Sequence, residues 1–147
     1  MNNNLETLRE NNFLTKKKLA AQLGVSDSIY ARWEKGKDII PTKRLWEIAN
    51  YYHINTDYIL GLTTIKKEVL SNQEIDRKLI AERAKEIRQD TGMSLKEFTK
   101  LLNTSPSTWN AYETGKVIIL GAFLYEVCKE YKVSADYLLG RSNIKYR

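Results

Sequence analysis

Residues 19–37 read LAAQLGVSDSIYARWEKGK, two helical phrases on either side of a glycine. Leu19, Ala20 and Leu23 fall at i, i+1 and i+4 and make one apolar helical face. Thr15 stands where it can cap that helix, and Gly24 ends it, because a sharp exit needs a residue tolerant of positive φ. Ser26 caps a second helix, whose Tyr30 and Trp33 turn toward a core at i and i+3. Two helices joined by so tight a turn predict a helix-turn-helix.

The same arrangement recurs 79 residues later. Residues 8–63 align with 87–142 without a gap and match at about 17 of about 56 positions, so a whole unit is repeated. Asn103 replaces Gly24 as the residue next best suited to the left-handed turn, Ser105 caps the following helix, Pro106 fits its first turn, and Trp109 and Tyr112 take the core positions. Leu5 and Leu8 predict a short first helix. Leu45, Ile48, Ala49 and Tyr52, matched by Leu124, Val127, Cys128 and Tyr131, predict a fourth. The phrases DYILGLT (57–63) and DYLLGRS (136–142) predict a fifth, capped by Asn55 or Ser134 and stopped by Gly61 or Gly140, with Tyr58/Tyr137 and Leu60/Leu139 packing down. The expected fold is all-α: five-helix domains at 1–63 and 87–147, joined by a helical linker at 64–86. Ser71 or Asn72 is the expected cap of a helix running through Ile75, Leu79, Ile80, Ala84 and Ile87.

Composition agrees with two small α-helical domains: two prolines and seven glycines are too few for a turn-rich β-sandwich. A single cysteine excludes an internal disulfide, no apolar run reaches the roughly 20 residues of a membrane helix, and MNNNLETLRE lacks a signal-peptide stretch, so a cytoplasmic protein away from membranes is expected. His53 has no cysteine near it in sequence, and Cys128 occupies the small core position of Ala49. With no glycine-rich phosphate loop or nucleophile motif, neither an enzyme nor a cofactor or metal site is expected. The net charge of +6 is unevenly spread. Residues 15–44 carry Lys16, Lys17, Lys18, Arg32, Lys35, Lys37, Lys43 and Arg44 against Asp27, Glu34 and Asp38, a balance of +5. The matching window 94–123 carries Lys96, Lys100 and Lys116 against Glu97 and Glu113, only +1. The copies share a fold and differ in surface.

The stretch from LTKKKLAAQLGVSDSIYARWEKGK to NTDYILG resembles the phage-repressor (Cro/XRE-type) helix-turn-helix family, through Leu-Ala-x-x-Leu-Gly-Val-Ser, the Glu-x-Gly-Lys closing the third helix and the Asp-Tyr-x-Leu-Gly tail. The second copy, SLKEFTKLLNTSPSTWNAYETGK and LYEVCKEYKVSADYLLG, is similar but looser. The resemblance implies tandem lambda-repressor-like domains and structural ion pairs Arg9–Glu34 and Arg88–Glu113. It also implies a third helix that enters the major groove of double-stranded DNA, with Asp27, Ser28, Ala31 and Arg32 at the base-reading positions. Lys16, Lys17, Lys35, Lys37 and Lys43 then surround them as phosphate contacts. The family often carries Gln where Lys16 stands, and the second copy has Leu95 there. That copy offers Pro106, Ser107, Asn110 and Ala111 for reading, so its candidate DNA contacts are Ser107, Asn110 and Lys116. Asp38, Pro41 and Arg44 become Val117, Leu120 and Phe123 in VIILGAF. This stretch either packs against the linker helix or the first copy, or forms an association surface for a homodimer or a protein partner. The implied function is a sequence-specific DNA-binding transcriptional regulator, a repressor, reading through the first copy. The alternative is a protein-binding adaptor of antitoxin or inhibitor type on the same fold.

Overall fold

The computed structural model describes residues 2–71 and 73–147. They contain ten α-helices: α1 (Leu5–Asn11), α2 (Lys16–Leu23), α3 (Asp27–Glu34), α4 (Thr42–Tyr52), α5 (Thr56–Ile59), α6 (Arg77–Asp90), α7 (Leu95–Leu101), α8 (Pro106–Glu113), α9 (Gly121–Tyr131) and α10 (Ala135–Leu138). The chain divides between residues 72 and 73 into two compact units, with α1–α5 in the first and α6–α10 in the second. Among the described residues no helix is long and apolar enough to cross a membrane.

The helix boundaries follow from local capping chemistry. The side chains of Thr15, Ser26, Ser94 and Ser105 each accept a backbone N–H three residues on, satisfying donors that a helix start leaves orphaned. Ser94 and Glu97 complete a reciprocal capping box at α7. Gly24 adopts φ 71° and Asn103 φ 55°, so the left-handed turn is made in both copies by the residues expected to make it. Each unit closes over one core. Leu5, Leu8, Leu19, Tyr30, Leu45, Ile48, Ile59 and Leu60 are buried in the first, and Ile80, Ile87, Phe98, Trp109, Leu124, Val127, Leu138 and Leu139 in the second. The aromatic positions of α3 and α8 meet edge to face, Tyr30–Trp33 with centroids 6.1 Å apart and Trp109–Tyr112 5.4 Å apart. Cys128 is buried where Ala49 lies in the other copy. Gly61 closes the first unit against its own N-terminus: a Cβ there would come within 2.5 Å of the Asn2 carbonyl oxygen.

The expected helical linker at 64–86 is not what forms. Residues 64–71 run without helix and return to their own unit. Ile54 bridges Glu68, the Asn55 N–H donates to the Lys67 carbonyl at 3.0 Å, and the Asn55 side chain brackets the segment by donating to the Ile65 carbonyl and accepting the Lys67 N–H. The helix expected from Ser71 begins instead at Arg77, because Asp76 accepts the Leu79 N–H and caps it there; Asn72 lies outside the described residues. That helix, α6, is the long first helix of the second unit. It buries Ile80, Ala84 and Ile87. The second unit repeats the returning segment with a Val133–Tyr146 bridge and a Ser134 N–H to Lys145 carbonyl bond of 2.7 Å.

Candidate nucleic-acid interface

In the first unit α2 starts at Lys16, so Lys16, Lys17 and Lys18 occupy its first turn, with Lys17 and Lys18 exposed and Lys16 half-buried. Cations at the positive end of a helix dipole oppose helix formation and concentrate positive potential where an anion would be accepted. Lys43 likewise sits in the first turn of α4. Lys35 and Lys37 are exposed beyond the end of α3.

Burial of Tyr30 and Trp33 fixes the rotation of α3 and leaves Asp27, Ser28, Ile29 and Arg32 outward, with Ala31 at the edge. Ser28 lies 3.2 Å from the capping Ser26 hydroxyl. Ile29 is 47% exposed, an apolar side chain on a polar face that sequence reasoning passed over. The signal available was its phase, one residue short of the inward Tyr30/Trp33 pair. Arg32 is not free. Its Nε donates to Asp38 Oδ2 at 2.6 Å and its Nη2 to Asp38 Oδ1 at 3.1 Å, a two-point pair whose side chains are 52% and 47% exposed. That hydrogen bonding raises the arginine pKa and lowers the aspartate below the usual carboxylate range. Arg44, counted above among the basic residues, has a structural place: Nη1 donates to the Leu23 carbonyl at 2.8 Å and to Glu47 at 3.0 Å, tying α4 to the end of α2.

Both ion pairs implied by the resemblance are present. Arg9 grips Glu34 through Nε at 2.6 Å and Nη2 at 3.3 Å, and also donates to the Leu14 carbonyl. The Tyr30 hydroxyl adds a 2.8 Å bond to Glu34, and burial together with that bond pushes the tyrosine pKa well up. Arg88 binds Glu113 at 2.8 to 3.1 Å and donates to the Met93 carbonyl in the same way. These pairs fasten the first helix of each unit to the third.

In the second unit Ser107, Asn110 and Lys116 are all exposed, and no basic residue lies on α8. Ala111 and Val117 stand where Arg32 and Asp38 stand in the first unit. The apolar VIILGAF stretch divides: Val117 and Leu120 are 44% and 55% exposed, whereas Ile119 is buried. Phe123 is half-buried, its ring 6.1 Å from that of Tyr112. The three residues grouped as one surface in the sequence thus separate into two outward side chains and one partly spent on the domain's own core.

A helix-turn-helix family profile matches the chain twice, at residues 5–59 and 85–138, and so over more than half its length. The chain belongs to the helix-turn-helix family. Both matches span the capped α2–turn–α3 or α7–turn–α8 pair, in agreement with the Cro/XRE-type resemblance. The chain is 37% identical over 59 residues to the uncharacterized HTH-type transcriptional regulator YobD of Bacillus subtilis (strain 168), a stretch covering 40% of this chain and 53% of that protein. It thus spans about half the length of that relative. No solved structure matches it.

Proposed function

We propose that the protein is a sequence-specific double-stranded DNA-binding transcriptional regulator, acting as a repressor, with α3 of the first unit in the major groove. The observation that carries this is the outward face of α3, where Arg32 stands among exposed lysines while the aromatic face is locked into the core. A guanidinium matches the two acceptors of guanine, Asp27 suits the amino group of cytosine, Ser28 accepts or donates, and Ala31 with Ile29 suits a thymine methyl. Lys16, Lys17, Lys35, Lys37 and Lys43 contact phosphates and set register.

Arg32→Ala is expected to erase preference at one base pair and to weaken the selected site by about tenfold to a hundredfold. Lys37→Ala is expected to weaken all duplexes alike and to reduce the slope of log K against log salt by about one. Selection from random duplexes followed by salt-dependent gel shifts measures both. An unchanged selected motif in Arg32→Ala removes α3 as the reading helix.

The exposure of Val117 and Leu120 supports self-association through the second unit, so that two first units meet a two-fold-symmetric operator. Ser107, Asn110 and Lys116 are then secondary DNA contacts at most. Val117→Asp with Leu120→Asp is expected to give a folded monomer that holds only a half-site, with sedimentation equilibrium reporting mass. A variant that stays dimeric on a full site places the pairing surface elsewhere. Should the chain bind random and selected duplexes equally weakly while those two side chains remain necessary for capturing a protein, the adaptor reading replaces the regulator.

A further inference from the structure

Among the basic side chains around α3 stands one acid that the mapping of phosphate and base contacts leaves without a task. Asp38 follows Lys37 directly and is exposed. A loop serving only to bind phosphate would be weakened by a carboxylate there. Nor does Asp38 serve the fold: an ion pair this exposed adds little to stability.

The geometry of the pair indicates another role. A guanidinium carries five N–H groups in one plane. Asp38 takes the Nε–H and one Nη2–H along the side edge. The end edge, Nη1 and the second Nη2–H, stays available, and its two parallel donors are the fork that guanine O6 and N7 accept. An unsupported arginine loses more rotamer freedom when it docks, whereas one already held along its side edge loses less.

The second unit supplies an independent observation. Its α8 leads into the same turn, with the Val117 N–H on the Ala111 carbonyl at 3.2 Å, against the Asp38 N–H on the Arg32 carbonyl at 3.4 Å. There both charges are replaced by apolar side chains. The turn therefore does not require an acid, and the acid is found only where there is an arginine to hold.

We infer that Asp38 is a positioning residue for sequence specificity: by holding the Nε edge of Arg32 it aims the end edge at a guanine in the major groove. The inference rests on the reading of Arg32 given above.

The test compares the duplex selected by the full-length protein with the same duplex altered at the base pair assigned to Arg32. Asp38→Ala is expected to lower discrimination between the two by about tenfold, while affinity for a random duplex holds or rises because a negative charge has left the phosphate-binding loop. Asp38→Asn, which keeps one acceptor and the shape, is expected to lie between. In an Arg32→Ala background Asp38→Ala is expected to change discrimination no further, and far-UV melts check that each variant is folded. Undiminished discrimination in Asp38→Ala overturns the inference, and so does tighter binding of the selected duplex with discrimination intact, which makes Asp38 a repulsive cover. If Arg32→Ala itself leaves the motif unchanged, the reading of α3 fails and takes this inference with it. If Arg32→Ala erases the preference and Asp38→Ala does not, only the role of Asp38 fails.

Discussion

Arg9→Ala is expected to destabilise the first unit by about 3–5 kcal/mol, the usual cost of removing one partner from a buried ion pair. The side chains of Arg9 and Glu34 are 11% and 2% exposed, so the carboxylate left behind has almost no access to water. Among the described residues the donor that remains to it is the Tyr30 hydroxyl at 2.8 Å, and the Leu14 carbonyl loses its Arg9 donor as well. A domain of this size has a stability of about 5–15 kcal/mol at most, so the loss brings it close to unfolding. The paired exchange Arg9→Met with Glu34→Leu is expected to recover much of the stability, because the penalty lies in the orphaned charge rather than in the absent attraction. Amide exchange checks this within one molecule. Protection should fall by about a hundredfold or more in α1–α5 and stay unchanged in α6–α10. A loss of a few tenths of a kcal/mol would mean that water reaches Glu34. The consequence extends to the proposed function, since the pair ties α1 to the end of α3 and so helps to set the angle of the helix proposed to read DNA.

The parts of this fold that were legible in the sequence are those fixed within about four residues. The caps at Thr15, Ser26 and Ser105 and the left-handed turns at Gly24 and Asn103 are local decisions, and apolar phase placed Tyr30, Trp33, Trp109 and Tyr112 inward. The linker was misread because mixed charges at helical spacing look alike in a helix and in an extended segment. What holds 64–71 down is Asn55, 10 to 12 residues away. The repeat faded at 63 and 142 for a related reason. Backbone bridges hold the returning segments in both units, and bridges leave no mark on side-chain identity. They are also out of step by one residue, Ile54 with Glu68 but Val133 with Tyr146, so a gapless comparison loses them. At the candidate interface the lysines were legible as charge, but the Asp38 partner of Arg32 was not, because a contact six residues apart across a turn has no helical period. Phe123 was grouped with Val117 and Leu120 by hydrophobicity alone, and its contact with Tyr112 is tertiary.

Asp136→Ala is expected to cost the second unit about 3–5 kcal/mol, while Arg141→Leu is expected to be milder by at least about 2 kcal/mol, although the two substitutions break the same ion pair. Arg141 Nη1 donates to Asp136 Oδ1, and the side chains are 0% and 4% exposed, the most deeply enclosed ion pair among the described residues. Burial lowers the arginine pKa, with Asp136 opposing that shift by its charge and its hydrogen bond. Deleting the aspartate removes the carboxylate partner of a guanidinium whose side chain is 0% exposed. Deleting the arginine instead restores the arrangement of the first unit. There Leu62 stands at the matching position, Asp57 is 3% exposed, and the same turn closes through the Leu62 N–H to the Asp57 carbonyl at 2.9 Å, as the Arg141 N–H does to Asp136 at 2.7 Å. One copy therefore shows that the corner after the last helix can be built without an arginine, while in the other the arginine once present requires its acid. Denaturant melts of both variants, with exchange of the α9 and α10 amides to locate the loss, decide the matter. Equal losses would mean that the second unit has repacked around Arg141 and can no longer accept the leucine that its sister copy uses.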